Sequence, residues 1–328
     1  MKIALDVMGG DKAPGEILDG AREALDASGE LRLMLTGDRD AILAHWPQAG
    51  ADPRVEIVHC TEVIEMHEHP AMAFRRKKDA SITVATRLVA EEQALAVVSA
   101  GSTGAQLAAG LFVLGRREGV ARPALATCIP TLKGPRLLLD IGANVDCSAE
   151  NLRQFAWLGK IYSETALGIE KPRVYLLNNG AEEEKGNELT LAAYALLSAE
   201  SDLGFCGNIE GRDMFNGDAD VIVTDGFAGN IALKTMEGAA IMLFTMMKKA
   251  FQADDRSKQG AELLKPAILE LQKVLDYEEI GGAPLLGLTG LSVVCHGSSG
   301  AKAIKAALLR TAGWVESGLL EKFAAHKF

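Results

Sequence analysis

The chain has 328 residues, 48% of them apolar and 24% charged, with 34 Lys+Arg against 44 Asp+Glu and a formal net charge of −10. This is the composition of a folded globular protein of about two domains' length, and its acidic balance excludes a general nucleic-acid binder, which needs a broad basic face. Cys60, Cys128, Cys147, Cys206 and Cys295 are odd in number and form no Cys-x-x-Cys pair, so they read as reduced thiols and not as a disulfide framework or zinc site.

In chain order, the first element is an apolar run at Lys2–Val7, interrupted by Asp6 too early for a secretory signal. Further runs of strand length follow at Arg32–Thr36, Arg54–Val58, Leu95–Ser99, Ala124–Cys128, Arg136–Ile141, Arg173–Leu177, Asp220–Thr224 and Leu291–Cys295. Several lack alternation, as strands do when a parallel sheet is covered on both faces. Helical patterns lie between them, among others at Ala13–Ala27, Ala80–Glu92, Gly104–Arg116 and Ala149–Gly168. The order predicts an α/β fold, a three-layer αβα sandwich with a mostly parallel sheet and right-handed crossovers.

Gln93–Gly115 and Gly281–Ala301 are uncharged and long enough to span a bilayer by count. Gly, Ser and Thr clusters in their middles make each a strand, a small-residue loop and a helix start instead. No Pro/Ser-rich linker or repeat divides the chain, so 1–328 reads as one α/β domain, long enough for two lobes. Its texture changes once, at Ala239–Asp276. There Ile241–Phe244, Met246 and Met247 form an apolar block, Asp254–Gln259 a polar break, and Leu263, Leu264, Ala267, Ile268, Leu271, Val274 and Leu275 recur at helical spacing. A protruding αα-hairpin follows, serving either as a packed or dimer-interface element or as a surface for a membrane or protein partner.

Four segments share the order strand, small-residue loop, helix. They are Asp6–Asp11, Ser99–Ala105, Thr224–Asn230 and Cys295–Gly300. Such loops are expected to gather at the carboxyl ends of strands, where open α/β sheets bind ligands. Glycine lets the backbone approach a ligand, and N–H groups at helix starts attract anions. A tight βα turn needs glycine for steric reasons too, but four such loops favour an anion site. Gly10–Gly15 is followed by Glu16 and Ile17, so there is no P-loop, and no G-x-G-x-x-G follows the first strand. Gly297–Ala301 misses the nucleophile-elbow spacing of serine hydrolases.

Two polar segments complete the inventory. Asn178-Asn179-Gly180 leads into Glu182–Asn187, which is either a solvated charge run or, through Lys185, an anion holder. Leu139–Cys147 places polar side chains at a strand end, with Asp146 or Ser148 as a helix cap. His59, Cys60, His67, Glu68 and His69 are close in sequence, but their spacing is irregular for a metal site, and none is expected. His45 and His326 read as surface residues, while His296 stands in a Gly/Ser loop at a strand end.

Seven ordered segments resemble the bacterial PlsX family of acyl-acyl carrier protein:phosphate acyltransferases. They are Ile3–Asp11, Ser99–Ala105, Leu138–Cys147, Leu176–Asn187, Asn208–Asp213, Val223–Lys234 and Gly281–Ala301. Two departures stand out: Ser102 where the family usually has Asn, and His67-Glu68-His69 where it carries an acidic stretch. The resemblance implies a fold similar to isopropylmalate dehydrogenases and phosphotransacetylases. It implies that phosphate attacks the thioester of a long-chain acyl carrier protein, giving acyl phosphate for phospholipid synthesis. It implies no nucleotide or redox cofactor, a homodimer, and a cytoplasmic enzyme peripherally associated with the membrane, working beside a downstream glycerol-phosphate acyltransferase.

Under that chemistry Lys185, Asn230 and His296 are the expected catalytic residues, pairing with phosphate, donating to the carbonyl oxygen and shuttling a proton to the thiolate. A structural role for His296 stands beside the catalytic one. Gly9, Gly10, Asp11, Gly101, Ser102, Thr103, Gly104, Asn144, Asn179, Asn187, Asp225, Gly226 and Ser298 are the expected substrate and phosphate contacts. The basic runs Arg75–Lys78 and Arg116, Arg117, Arg122 would either steer the acidic carrier protein or simply be solvated. A nicotinamide-dependent dehydrogenase, a non-catalytic scaffold and a phosphotransacetylase using short acyl-coenzyme A are the alternatives. The dehydrogenase would need an adenosine pocket and clustered carboxylates, and neither signature is present.

Overall fold

The computed structural model describes residues 1–275 and 281–328, with side chains described outside 272–275. Asp276, the last residue of the expected hairpin, lies outside the described residues. The strands are β1 (Lys2–Asp6), β2 (Arg32–Gly37), β3 (Val55–His59), β4 (Ala96–Ser99), β5 (Ala124–Ile129), β6 (Arg136–Leu139), β7 (Val174–Asn178), β8 (Phe205–Glu210), β9 (Val221–Val223), β10 (Ala283–Leu286) and β11 (Leu291–Val294). All nine expected strands are present, and β8 and β10 are additional. Gly207 and Asn208 interrupt the apolar pattern of β8, and β10 follows two glycines and contains Pro284.

One sheet joins them in the order β3-β2-β1-β4-β11-β10-β5-β6-β9-β7-β8. Most neighbours are parallel, but β10 is antiparallel to both β11 and β5, and β5 is antiparallel to β6. The strands β6, β9, β7 and β8 therefore run opposite to β1, β4 and β11. This corrects the expectation that all four glycine loops gather at one set of strand ends. Three of them follow β1, β4 and β11, while Thr224–Asn230 follows β9 and shares its end of the strands with the polar segments after β6 and β7.

Alternate residues of each strand enter opposite faces, as strand geometry dictates. Ile3, Leu5, Leu33, Leu35, Val98, Leu137, Leu139, Val221 and Val223 join one core that extends across the sheet. It is covered by α1 (Gly15–Ala27), α6 (Ala149–Ala166) and the helix Ala301–Glu316. The opposite face is divided. Ala4, Met34 and Val97 pack under α3 (Pro70–Arg76), α4 (Ser81–Ala90) and α5 (Thr103–Ala109), whereas Leu125, Leu138 and Ile222 form a separate cluster. Helices on both faces complete the three layers.

The helix expected over Gly104–Arg116 begins at Thr103 and widens to a π turn over Gly110–Leu114. Ser148, not Asp146, caps α6: its Oγ accepts the Asn151 N–H at 3.3 Å while Asn151 Oδ1 accepts the Ser148 N–H at 2.9 Å. The remaining helices named below are α2 (Arg39–His45), α7 (Glu188–Ser198), α8 (Gly226–Phe251) and α9 (Asp255–Leu275). The last two form the hairpin. Its polar break is shorter than expected, because Asp254 caps the new helix through Ser257 N–H at 2.8 Å. Ile241, Met242, Leu243 and Met246 are exposed on α8. A cleft of about 840 Å³ between the two helices is lined by Phe244, Met247, Phe251, Ile268 and Leu269, with Lys248, Lys258 and Lys265 beside them.

Candidate active site

The first loop group is assembled on a buried carboxylate. Asp6, the last residue of β1, is 1% exposed. Its Oδ2 accepts the Ser99 hydroxyl at 2.7 Å and its Oδ1 the Met8 N–H at 3.2 Å, while Ser99 Oγ accepts the Gly101 N–H at 3.0 Å. Burial pushes the Asp6 carboxyl above the ordinary carboxylate range, against hydrogen bonds from the Ser81 and Ser99 side chains that favour the anion. Gly9 is required by close approach, since a Cβ there would come 2.5 Å from Asp6 Oδ2 and 2.8 Å from the Gly101 nitrogen. Asp11 N–H donates to the Gly297 carbonyl at 2.8 Å, bringing the β1 and β11 loops together.

Gly9, Gly10, Asp11, Gly101, Ser102, Thr103, Gly104, His296 and Ser298 thus belong to one neighbourhood. Several of their polar atoms are already engaged. Ser102 Oγ caps α5 by accepting the Ala105 N–H at 3.4 Å. His296 Nδ1 lies 2.7 Å from Ser298 Oγ and accepts the Ser298 N–H at 3.3 Å, so the neutral ring carries its proton on Nε2. The crevice between Asp6, Gly9, Ser81, Gly101 and Ser102 has no room for a water-sized molecule, so a ligand here would lie on the loops and not beneath them.

The second group is assembled on Asp140, just after β6. It is fully buried and accepts five hydrogen bonds. Oδ1 receives the N–H groups of Leu125, Gly142 and Ala143, and Oδ2 receives the backbone N–H of Asn144 at 2.7 Å and its Nδ2 at 2.8 Å. Burial raises its carboxyl pKa and these donors pull it back, with the balance upward. The α8 start seats on this turn. Gly226 N–H donates to the Asn144 carbonyl at 2.8 Å, and Gly229 lies against the Asp140 carbonyl where no Cβ fits. Asp225 caps α8 through the Ala228 N–H at 2.7 Å.

Asn144 is buried, and its Nδ2 also donates to the Pro123 carbonyl at 2.7 Å, so it anchors the turn. Asn187 caps α7 through the Thr190 N–H at 3.0 Å. Asn230, Asn179 and Lys185 are exposed. Asn230 Nδ2 donates one hydrogen to the Ile141 carbonyl at 3.0 Å, and its other N–H makes no hydrogen bond among the described residues. Because β9 lies between β6 and β7, the α8 start and the Lys185 loop follow adjacent strands, about 4.8 Å apart.

The structure thus brings Lys185 and Asn230 into neighbouring loops and puts His296 in the other group. No hydrogen bond joins the two groups among the described residues. Sheet twist bears on their orientation: at roughly 20–25° per strand, the five steps from β4 to β9 turn the strands by about 100–125°. A rotation of that size offsets much of a strict end-to-end reversal. Sequence reasoning missed Asp6 and Asp140 as anchors, although each stands where an apolar run meets glycines.

The other readings also acquire positions. Glu68 is taken by Lys77 at 2.5 Å and His59 Nδ1 by the Arg39 N–H at 3.1 Å, and no cluster of His, Cys, Asp and Glu among the described residues is arranged to hold a metal. His326 is not a plain surface residue: it packs between Trp157 and Phe328, and burial lowers its pKa. Within the second basic run, Arg117 is half-buried, and Arg116 and Arg122 donate to the carbonyls of Ala121 and Asp146. Among the described residues no helix is long and apolar enough to cross a membrane.

Comparison with known proteins places this architecture. Residues 1–322 match a family described as fatty acid synthesis protein. The phosphate acyltransferase of Heliobacterium modesticaldum is 54% identical over 328 residues, covering 99% of this chain and 97% of that protein. That of Moorella thermoacetica is 52% identical, covering 98% and 94%. Among solved structures, the EutD phosphotransacetylase from Staphylococcus aureus superposes with a TM-score of 0.62 at 18% identity over 95% of this chain and 93% of that one. A 4-hydroxythreonine-4-phosphate dehydrogenase from Klebsiella pneumoniae gives 0.53 at 14% identity, covering 94% and 96%. These two likenesses establish the fold alone. Half-identity over nearly the whole length establishes more: the chain is an acyltransferase and belongs to the phosphate acyltransferase (PlsX) family.

Proposed function

We propose that the chain moves a long-chain acyl group from acyl carrier protein to inorganic phosphate, releasing acyl phosphate and free carrier protein for phospholipid synthesis. The observation that carries this reading is that Lys185 and Asn230 are both exposed, on loops that follow the adjacent strands β7 and β9. A phosphate oxygen attacks the thioester carbonyl carbon. The C–O bond forms, the C–S bond breaks, and its electron pair leaves with sulfur, which takes up a proton. Lys185 holds and aims the phosphate, and the free Asn230 N–H meets the charge that grows on the carbonyl oxygen. His296 Nε2–H serves the departing thiolate, a role that requires both loop groups to face one substrate. Burial pushes the thiols of Cys60 and Cys295 up to about 12 and that of Cys147 to about 11, so none of these offers a thiolate for a covalent acyl-enzyme at neutral pH.

The direct experiment is to incubate the protein with palmitoyl-acyl carrier protein and phosphate, trap with hydroxylamine and identify the hydroxamate by mass spectrometry. A phosphate-dependent hydroxamate is expected. Its absence from folded protein that still binds the carrier would leave a scaffold, and faster turnover of short acyl-coenzyme A would leave a phosphotransacetylase.

Docking of the acidic carrier is proposed on α3. Arg75 and Arg76 are exposed there, and Lys78 Nζ sits 5.1 Å over the Phe74 ring, which stacks at 5.6 Å on the exposed Phe112. Lys77 is not part of this face, since it turns to Glu68 and the Val63 carbonyl. Arg75→Glu with Arg76→Glu should raise KM for the carrier; an unchanged KM removes the patch. The exposed apolar face of the hairpin supports shallow contact with the cytoplasmic membrane or, alternatively, a homodimer. Vesicle flotation of wild type beside Leu271→Glu separates the two, with equal lipid binding counting against membrane contact at that face. A glycerol-phosphate acyltransferase is the proposed recipient of the acyl phosphate.

A further inference from the structure

Lys185 lies in an exposed loop whose charge run contributes no fixed position of its own. Two asparagines from adjacent strands supply one. Asn178, at the end of β7, donates from Nδ2 to the Lys185 carbonyl at 3.1 Å, while its Oδ1 accepts the Asn179 N–H at 2.9 Å. Asn208, on β8, donates from Nδ2 to the Glu182 carbonyl at 2.8 Å, and the Lys185 N–H donates to that same carbonyl at 3.2 Å. The β7–β8 register pairs Leu176 with Asn208 and Asn178 with Glu210, so the two carboxamides grip the loop from neighbouring strands. Gly180 completes the seat, since a Cβ there would come 2.6 Å from Lys185 Cγ.

Asn208 carries a second, independent feature. It is 6% exposed, and its Oδ1 has no hydrogen-bond partner. A buried unpaired acceptor destabilises a fold, and leucine, which shares asparagine's branched four-heavy-atom outline, removes that acceptor. What leucine cannot do is hold the Glu182 carbonyl. Resting on the role of Lys185 proposed above, we infer that Asn208 and Asn178 are positioning residues that aim the Lys185 ammonium at the phosphate. Neither touches a reacting atom; both act by fixing the carbonyls on either side of the lysine's turn. Misplacing such a group by about 1 Å costs on the order of 10²-fold in rate.

The test is a double-mutant cycle with thermal melting alongside. Turnover of palmitoyl-acyl carrier protein with phosphate is measured for Asn208→Leu, Asn178→Ala, Lys185→Ala and the two doubles with Lys185→Ala. Asn208→Leu should melt within a few degrees of wild type and lose roughly tenfold to hundredfold in kcat/KM for phosphate. In the Lys185→Ala background either asparagine substitution should change the rate less than about twofold, because its effect passes through the lysine. Asn178→Ala, at a less buried site, answers the question should Asn208→Leu fail to fold. Additive losses in the doubles would overturn the inference, as would unchanged kcat/KM in both single variants. Wild-type turnover by Lys185→Ala would overturn the role of Lys185 itself, and the two failures are thereby told apart.

Discussion

At the end of β1, Asp6 gathers the Met8 N–H directly and the Gly101 N–H through the Ser99 hydroxyl. Just past the end of β6, Asp140 gathers the N–H groups of Gly142, Ala143 and Asn144 directly. The device is the same, a buried carboxylate under a glycine turn, but the residue left over differs. Around Asp140 the turn's amides are consumed inward, and the ligand contacts proposed there are the exposed side chains of Lys185, Asn230 and Asn179. Around Asp6 the loops carry glycines and hydroxyls, with Lys12 their only cation. One end of the molecule therefore offers charge, and the other offers backbone and a histidine.

The largest expected effect separates the two groups by activity. Lys185→Ala should lower hydroxamate formation by about 10²–10³-fold, as loss of a transition-state donor does. His296→Gln should cost about tenfold or less, since a thiolate leaves readily. Equal losses would mean that both groups face the same substrate with equal weight. Next comes stability. Gly229→Ala drives a methyl into the Asp140 carbonyl and should cost about 1–3 kcal/mol by denaturant midpoint, and Gly9→Ala, against Asp6, about the same. A tolerated Gly229→Ala would show that the second turn yields where the first does not.

The third effect is smaller and depends on pH. The folded Asp6 carboxyl is raised above its unfolded value of about 3.9. Its contribution is therefore full below about pH 4 and is lost as pH rises through the folded pKa. Asp6→Asn mimics the protonated acid, so the wild type's advantage in Tm should shrink from pH 4 upward. A difference constant with pH would place the Asp6 titration outside that range. Smallest is Ser102→Asn. Both residues cap helices well, so the change should stay within about 0.5 kcal/mol.

Much of the sheet was legible because apolar runs such as Leu137–Leu139 and Val221–Val223 have no other use than burial on two faces. The reversal through β10 and β5 was not, because a strand's own pattern does not say which way its neighbour runs. β10 was hidden further by Gly281, Gly282 and Pro284, which read as loop. The site was legible by segment and less so by residue. Ser102, Asp225 and Asn187 cap helices, and Asn144 braces Asp140. A small polar residue between strand and helix has the same signature whether it caps its own chain or binds a ligand. Asn208 had the opposite difficulty, since a lone asparagine inside a strand gives no hint that it reaches a lysine loop.

The helix α8 starts in the candidate site, with Gly229 locked against Asp140 and Asn230 bonded to Ile141, and then continues to Phe251. Its 26 residues make a rod of about 39 Å, whose first turns pack on the core through Ala232, Leu233 and Met236 while the remainder carries the exposed Ile241, Met242, Leu243 and Met246. Such a rod works as a lever with a short arm in the site and a long arm in solvent. A tilt of about 5° carries the far end through roughly 3 Å while the Asn230 carboxamide, near the fulcrum, shifts by only a few tenths of an ångström. Whatever holds the outer arm bears on the angle of the inner one, so the position of the Asn230 carboxamide is mechanically continuous with a surface tens of ångströms away.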